Sequence, residues 1–477
     1  MPQPGATHAL PVVVIGAGPI GLAAAAHLLE RGLEPLVLES GHSVGAAVRQ
    51  WAHVRLFSPW QYDVDPAAQR LLERTGWVRP EGTALPTGGD LVEAYLEPLA
   101  ATEELRGRIL LGAHVVAVSR LGLDKTHSRE RAEAAFLVRT VVDGRVVDHL
   151  ARAVIDASGT WSRPNPLGPA GLPAPGESDA TPFLLGPLPD VLGRERERAA
   201  GRHVLVVGSG HSATNTLLAL VALADDAPGT RITWAVRGAS VSYGGGDADG
   251  LPARGALGAQ LREAVQAGRV ELVRNAQVVS LEPGAEGLAV DLAAPQGVRR
   301  IVVDALAGAT GFRPELAMLR ELRLDLDPAI EAPRRLAPLV DPEHHSCGTV
   351  PAHGADVLAH PDAGFFIVGM KSYGRAPTFL LATGYEQVRS IAAHLAGDER
   401  AARELQLELP ATGVCSATPP SSADGEAADA CCGTPEPAAA DACCGTPEPA
   451  AADACCGTTE PALLGFPTGL AHGRAGR

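Results

Sequence analysis

The chain has 477 residues, 46% of them apolar and 20% charged, with a formal net charge of −15, enough for two or three domains. This acidic balance, with no long basic run, argues against nucleic acid or an anionic membrane surface as the main partner. No apolar stretch reaches the roughly 20 residues of a membrane span, and residues 1–11 lack a basic-then-apolar leader. The expectation is therefore a cytoplasmic protein, monomer or homodimer, acting on a small molecule.

Residues 11–15 read as a short buried strand. Gly16-Ala17-Gly18-Pro19-Ile20-Gly21 follows as a turn, residues 23–31 as a helix closed by Gly32, and 35–39 as a second strand. Gly16 suits the tight turn, Gly18 lets backbone approach a pyrophosphate, and Gly21 lets helix and strand pack closely. The helix N-terminus then faces the phosphates. Glu39, followed by Ser40, ends the second strand where a carboxylate can accept hydrogen bonds from a ribose.

Residues 124–147 look like a charged hairpin region, and 162–189 are rich in Pro and Gly, as an interdomain crossing would be. A second strand–turn–helix–strand unit spans 203–237, about 190 residues after the first. Its turn is Gly208-Ser209-Gly210-His211-Ser212-Ala213, with helix 213–223 and strand 231–237. Ala213 still allows close helix packing. Arg237 stands at the strand end where an acid would repel a 2′-phosphate; a guanidinium there grips that phosphate bidentately, or is simply a solvated strand-end charge. Two such units imply an α/β chain with two Rossmann-like dinucleotide-binding domains.

Asp156-Ala157-Ser158-Gly159-Thr160 and Ala309-Thr310-Gly311-Phe312-Arg313-Pro314 are small-residue turns after apolar strands. With the two Gly-rich units and the segment Gly364-Phe365-Phe366-Ile367-Val368-Gly369, their order resembles the flavin-containing monooxygenase and thioredoxin-reductase-like superfamily over roughly residues 11–397. The resemblance implies FAD on the first unit and NADPH on the second, the second domain inserted in the first. It places residues 1–165 and 309–409 in the FAD domain and 166–308 in the NADPH domain. It also implies cofactor contacts from Trp51, Ser58, Val116, Asn215, Gly369, Lys371 and Thr378. Lys371 and Arg375 either stabilise an anionic reduced flavin or make phosphate or surface contacts. Residues 379–395 form an apolar helix under the flavin ring.

Three family features are missing. The segment Pro182-Phe183-Leu184-Leu185-Gly186-Pro187 replaces the usual Phe-x-Gly-x-x-x-His, and 51–59 carries Ser58 where relatives carry a catalytic Asn or Thr. Residues 41–60 hold no Cys, so the redox pair of glutathione-reductase-like enzymes is absent there. No catalytic acid, base or nucleophile can be named.

His344-His345-Ser346-Cys347, with His353 and His360 beyond it, is either a reactive or metal-binding cluster or a set of buried structural residues. Residues 410–477 read as a disordered tail with a 12-residue Ala/Pro/Glu/Asp repeat carrying Cys431-Cys432, Cys443-Cys444 and Cys455-Cys456. Vicinal thiolates suit soft ions such as As(III) or Hg(II); the alternative is a repeat with no role. The tail resembles the C-terminal Cys pair of mercuric reductases, and the run around 370–378 resembles flavoproteins found beside arsenic-resistance functions.

The expected activity is an FAD-dependent, NADPH-oxidising, monooxygenase-like enzyme, with a link to arsenic or metal-thiol detoxification. The alternatives are a reductase of tail dithiols or thiol-bound metal, and a flavin-bound metallochaperone or redox sensor.

Overall fold

The first apolar run forms strand β1 (Val12–Ile15), every residue buried, as a strand covered on both faces of a parallel sheet must be. Helix α1 (Pro19–Glu30) and β2 (Pro35–Leu38) follow; after short helices that include α2 (Pro66–Glu73) comes β3 (Ile109–Leu110). Strands β4 (His114–Arg120), β5 (Phe136–Val142) and β6 (Arg145–Ala151) make an antiparallel meander, and β7 (Ala153–Asp156) returns to the sheet. The chain then crosses to β8 (Leu184–Gly186), β9 (His203–Val207), α3 (His211–Asp226), β10 (Arg231–Ala235) and β11 (Glu271–Val273). A second meander, β12 (Gln277–Gly284), β13 (Gly287–Ala294) and β14 (Gly297–Val303), leads into β15 (Ala305–Gly308). Strand β16 (Phe365–Ile367) and helix α4 (Leu381–Leu395) follow, with a short helix Glu399–Arg403 packed on α4. This computed structural model describes residues 9–241, 243, 252–341, 350–377 and 379–407.

Two five-stranded sheets result, ordered β16-β7-β1-β2-β3 and β8-β15-β9-β10-β11, with every pairing parallel. They are one design used twice. In each, the central strand feeds a helix, two strands step outward, a three-stranded meander intervenes, and a last strand returns beside the first. The outermost strand alone enters differently. The first lobe receives β16 after the second lobe is finished, whereas the second lobe takes β8 before its own central strand. The second lobe is thus inserted in the first, as its position in the sequence predicts.

The repetition extends to a bulge. Pairing shifts between Val115 and Ala117 in the first meander and between Val278 and Ser280 in the second. Val116 and Val279 are the extra residues, and bulges of this kind re-aim the strand beside a site.

Several expected boundaries move. Helix α1 starts at Pro19, not 23, because a proline at the first helical position lacks only an N–H that would be unbonded anyway. Helix α3 runs His211–Asp226, longer than 213–223 at both ends, and β10 stops at Ala235, two residues before Arg237. The charged region 124–147 is turns up to residue 135; the hairpin is β5–β6, closed by Asp143 and Gly144, both at positive φ. The helix expected over 379–395 begins at Leu381.

Helix α1 carries four consecutive alanines, Ala23, Ala24, Ala25 and Ala26, all fully buried, and it lies close between α2 and α4. The two crossings between lobes pair with each other. Asn165 N–H donates to Gly311 O (2.8 Å), Arg313 N–H donates to Arg163 O (3.0 Å), and Trp161 stacks on Phe312 with centroids 5.2 Å apart. Among the described residues no helix is long and apolar enough to cross a membrane.

Candidate nucleotide-binding sites

Each glycine of the first turn meets a separate steric demand. Gly16 sits at φ +100°, and a Cβ on it would lie 2.9 Å from Ala157 O. A Cβ on Gly21 would lie 1.9 Å from Gly16 O. Gly18, the N-cap of α1, faces open space, with nothing within 4 Å of its would-be Cβ. The first and third glycines are therefore required by the protein itself, and the second leaves room at a helix N-terminus. That helix has no acidic residue in its first turn and no side-chain cap, so its free N–H groups and positive dipole end suit an anion. Glu39 is buried beside it; its two carboxylate oxygens accept Ala17 N–H and Gly41 N–H, each at 2.7 Å.

The second turn repeats the geometry. Gly208 has φ +122°, and its would-be Cβ lies 2.0 Å from Ala309 O; Gly210 caps α3 and faces open space. Helix α3 also lacks a side-chain cap and a first-turn acid, and Ala213 is fully buried in the third position. The small-residue turns at Ala157 and Ala309 are thus equivalent, since each puts its carbonyl against the first glycine of a fingerprint.

The equivalence also corrects where the acid is replaced. Glu39 N–H donates to Leu110 O, and Ala113 N–H donates to Glu39 O; Val236 N–H donates to Val273 O, and Ala276 N–H donates to Val236 O. Val236, not Arg237, is the structural counterpart of Glu39, and it is buried. Arg237 is the counterpart of Ser40 and is exposed. Together they remove the acid and add a cation.

The segment after α1 gathers the remaining elements. Trp51 lies 6.5 Å from Trp161 between ring centroids, and Phe57 lies 4.9 Å from His211, in the second fingerprint. Ser58 is buried and donates from Oγ to Asp63 Oδ1 at 2.7 Å. Asp63 closes a short turn, Trp60–Asp63, and its backbone carbonyl accepts the Tyr385 hydroxyl from α4 at 2.7 Å. Residues 51–63 therefore touch Trp161, just past the Asp156–Thr160 turn, His211 of the second fingerprint, and α4. Burial pushes the Asp63 carboxyl up to about 7. Nothing in the sequence marks Asp63, beyond its place two residues before a second aspartate.

Lys371 is not a free cation. Its Nζ lies 2.7 Å from Asp156 Oδ2 and 3.0 Å from Ser158 Oγ, and the Lys371 and Asp156 side chains are wholly buried. Asp156 Oδ1 in turn accepts Ser158 N–H at 3.1 Å and Ser158 Oγ–H at 2.6 Å. Arg375 is paired with Glu331 at 2.7 Å.

Gly369, at φ +66°, packs on Ile20, which is buried against Gly384 as well. Gly369 N–H donates to Gln387 Oε1 at 2.8 Å, and Gln387 Nε2 reaches His353 Nε2 and Ser372 Oγ. His353 and His360 are core residues in separate environments, and among the described residues no His, Cys, Asp and Glu group could hold a metal. Thr160 is buried, Asn215 Nδ2 donates to His211 O at 3.0 Å, and Arg313 reaches Gly171 O at 3.4 Å. Thr378, Cys347 with its His pair, and all six tail cysteines lie outside the described residues.

A family model of pyridine nucleotide-disulphide oxidoreductases matches residues 13–349. No curated protein sequence matches the chain. Among solved structures, the chain is similar to the bacillithiol disulfide reductase of Bacillus cereus, with 20% identity and a TM-score of 0.61 over 81% of this chain and 99% of that one. It is similar to the FAD-bound cadaverine monooxygenase of Erwinia amylovora, with 15% identity, a TM-score of 0.56 and coverage of 85% and 99%. It is also similar to a Kutzneria ornithine N-hydroxylase holding reduced FAD, NADP+ and L-ornithine, with 17% identity, a TM-score of 0.53 and coverage of 82% and 99%. At these identities the likeness to the solved structures concerns the fold, which reductases and hydroxylases share. The family match takes in both fingerprints, both small-residue turns and both meanders, and the chain belongs to the pyridine nucleotide-disulphide oxidoreductase family.

Proposed function

We propose that this chain is an oxidoreductase that holds FAD in its first lobe, takes hydride from NADPH bound in its second, and passes the electrons to a small-molecule acceptor. The observation that carries the reading is the duplicated frame with two uncapped helix N-termini, each fronted by a glycine with open space beside it. The open spaces at Gly18 and Gly210 fit pyrophosphates. Glu39 offers ribose an acceptor in the first lobe. In the second, Val236 and Arg237 replace acid by cation, which favours a 2′-phosphate and hence NADPH.

When bound, FAD supplies the two-electron relay between nucleotide and acceptor. The chain's own residues do the positioning. Gly16, Pro19, Ile20 and Gly21 set the course of the first turn; Ala157 to Thr160 and Gly369 to Lys371 close on it from the two sides of the insertion. Gly208 to Ala213, Asn215 and Arg237 hold the donor, and the paired crossings with Thr310, Gly311 and Arg313 link the lobes. Trp51 and Ser58 stand where these elements meet. Because residues 41–60 contain no Cys, the acceptor in this reading is oxygen or another diffusible molecule, and the enzyme is monooxygenase-like.

The test is the visible spectrum of the purified full chain in stopped flow. Bleaching of a flavin band by NADPH, faster than by NADH, is expected. A long-lived absorbing species on mixing with oxygen supports oxygen insertion. Failure of both nicotinamides to bleach the band refutes the reading.

The Cys-Cys repeat favours one further step, capture of As(III) or another thiophilic ion by the tail. Deleting residues 429–458 then abolishes stoichiometric As(III) binding while leaving NADPH-driven bleaching in place.

A further inference from the structure

Two buried carboxylates lie two residues apart and are treated differently. Asp65 is fully served: Oδ1 accepts Ala68 N–H at 2.8 Å as the cap of α2, and Oδ2 meets His27 Nε2 of α1 at 2.9 Å. Asp63, just as buried, has only the Ser58 hydroxyl on Oδ1, and its Oδ2 has no partner. A buried carboxylate with an unpartnered oxygen and no cation beside it is poorly stabilised in its charged form.

Among the described residues, the groups facing Asp63 supply no such cation. Ser58 comes from its own loop, Tyr385 from α4, Tyr95 from the turn Val92–Leu96, and Asp65 from the start of α2. Burial raises both phenols well above their usual range, so they stay neutral, and Asp65 is already committed to His27. The near-neutral titration of Asp63 agrees with this geometry and has the same cause, desolvation.

We propose that Asp63 is a proton store for the site, held as the neutral acid and discharged through the Ser58 hydroxyl toward the junction of residues 51–63 with the two turns. With the acid protonated, the 2.7 Å contact can run from the Asp63 O–H to Ser58 Oγ, freeing the serine hydrogen to point outward. The step balances simply. A hydride-equivalent carries two electrons and one proton nucleus, so a neutral two-electron acceptor is left with one negative charge and needs one further proton. Ser58 gives that proton, Asp63 replaces it and becomes a carboxylate, and solvent restores the acid. Ser58 is the contacting group and Asp63 a positioning residue acting through it. The inference rests on the proposed reading that the 51–63 segment borders the flavin.

The experiment has two readouts on the full-length protein as purified. Infrared spectra across a pH titration should show a protonated carboxyl band that disappears near neutral pH and is missing from Asp63→Asn. With molecular oxygen as acceptor, wild-type reoxidation after NADPH reduction should slow up to about tenfold per pH unit above that point. Asp63→Asn and Ser58→Ala should each flatten the profile, and the double variant should add nothing further. A missing band, or a wild-type break that persists in Asp63→Asn and Ser58→Ala, overturns the proposal. If the protein holds no flavin, the functional reading fails, and the infrared band still decides whether Asp63 stores a proton. If Asp63→Asn does not fold, the wild-type titration and Ser58→Ala carry the test.

Discussion

Replacing Lys371 by Met should destabilise the first lobe by several kcal/mol, and the loss should depend on pH in a definite direction. Lys371 and Asp156 are both wholly buried and 2.7 Å apart, and they come from segments on either side of the inserted lobe. Removing one partner of such a pair costs about 3–5 kcal/mol, because the remaining charge is buried without compensation. The variant can limit that cost by taking up a proton. Neutralising a carboxylic acid of ordinary pKa about 3.9 costs roughly 4 kcal/mol at pH 7 and about 1.5 kcal/mol at pH 5. The destabilisation of Lys371→Met should therefore grow as pH rises.

For a cooperative unit of this lobe's size, 1 kcal/mol corresponds to about 2 °C in Tm. The expected shift is roughly 6–10 °C at pH 7 and under half of that at pH 5. Differential scanning calorimetry of wild type and variant at both pH values measures it. Lys371→Met/Asp156→Asn should recover much of the loss, since replacing both charges removes the uncompensated one. A shift below about 2 °C at pH 7, or one that does not change with pH, would refute the argument that this ion pair joins the two parts of the lobe.

The remaining expectations concern the nucleotide turns. Gly18→Ala and Gly210→Ala add a methyl group to open space, so the Tm of ligand-free protein should hold while FAD or NADPH affinity falls. Gly208→Ala, 2.0 Å from Ala309 O and at φ +122°, should lower Tm even without nucleotide; equal loss of Tm from Gly210→Ala would contradict the steric argument. Arg237→Ala should reduce kcat/KM for NADPH by about 10- to 100-fold, the size of one charged hydrogen-bonded contact, with NADH little affected. Steady-state kinetics with the two nucleotides decide it.

The parts of the fold legible in the sequence are those set by local sterics. Gly16 and Gly208 need positive φ and cannot carry a Cβ against a neighbouring carbonyl, and that demand appears directly as a glycine. The short apolar strands and the inserted order of the lobes follow from the same spacing. The ion pair of Lys371 could not be read, because its partner lies 215 residues away and no local pattern links them. A lysine in a flavin-like segment looks like a free cation until the sheet sets β7 beside β16. Arg237 is legible as a cation, but only the strand pairing within each sheet shows that Val236, one position earlier, is the counterpart of Glu39.

Two buried groups far apart in the sequence make the pH dependence of stability a sharper test than its absolute size. Asp63 is raised to about 7 by burial, and His360 is lowered to about 4 by the same cause, its Nε2 having no partner and its Nδ1 accepting Asp325 N–H at 3.2 Å. For Asp63 the folded value lies above the unfolded one, so its contribution is complete below about pH 4 and is lost as pH rises toward 7. For His360 the folded value lies below the unfolded one of about 6.5, so its contribution is complete above that pH and is lost as pH falls toward 4. Across pH 4 to 6.5 the two slopes oppose, each amounting to roughly 3 kcal/mol over the window, and the pair contributes a nearly flat profile. Removing either should uncover the other. Relative to wild type, Asp63→Asn should add stability with rising pH, and His360→Gln, which keeps an acceptor for Asp325, should lose it. Chemical denaturation at half-unit pH steps reads both slopes. If both variants tilt the same way, the two groups do not titrate as their burial requires.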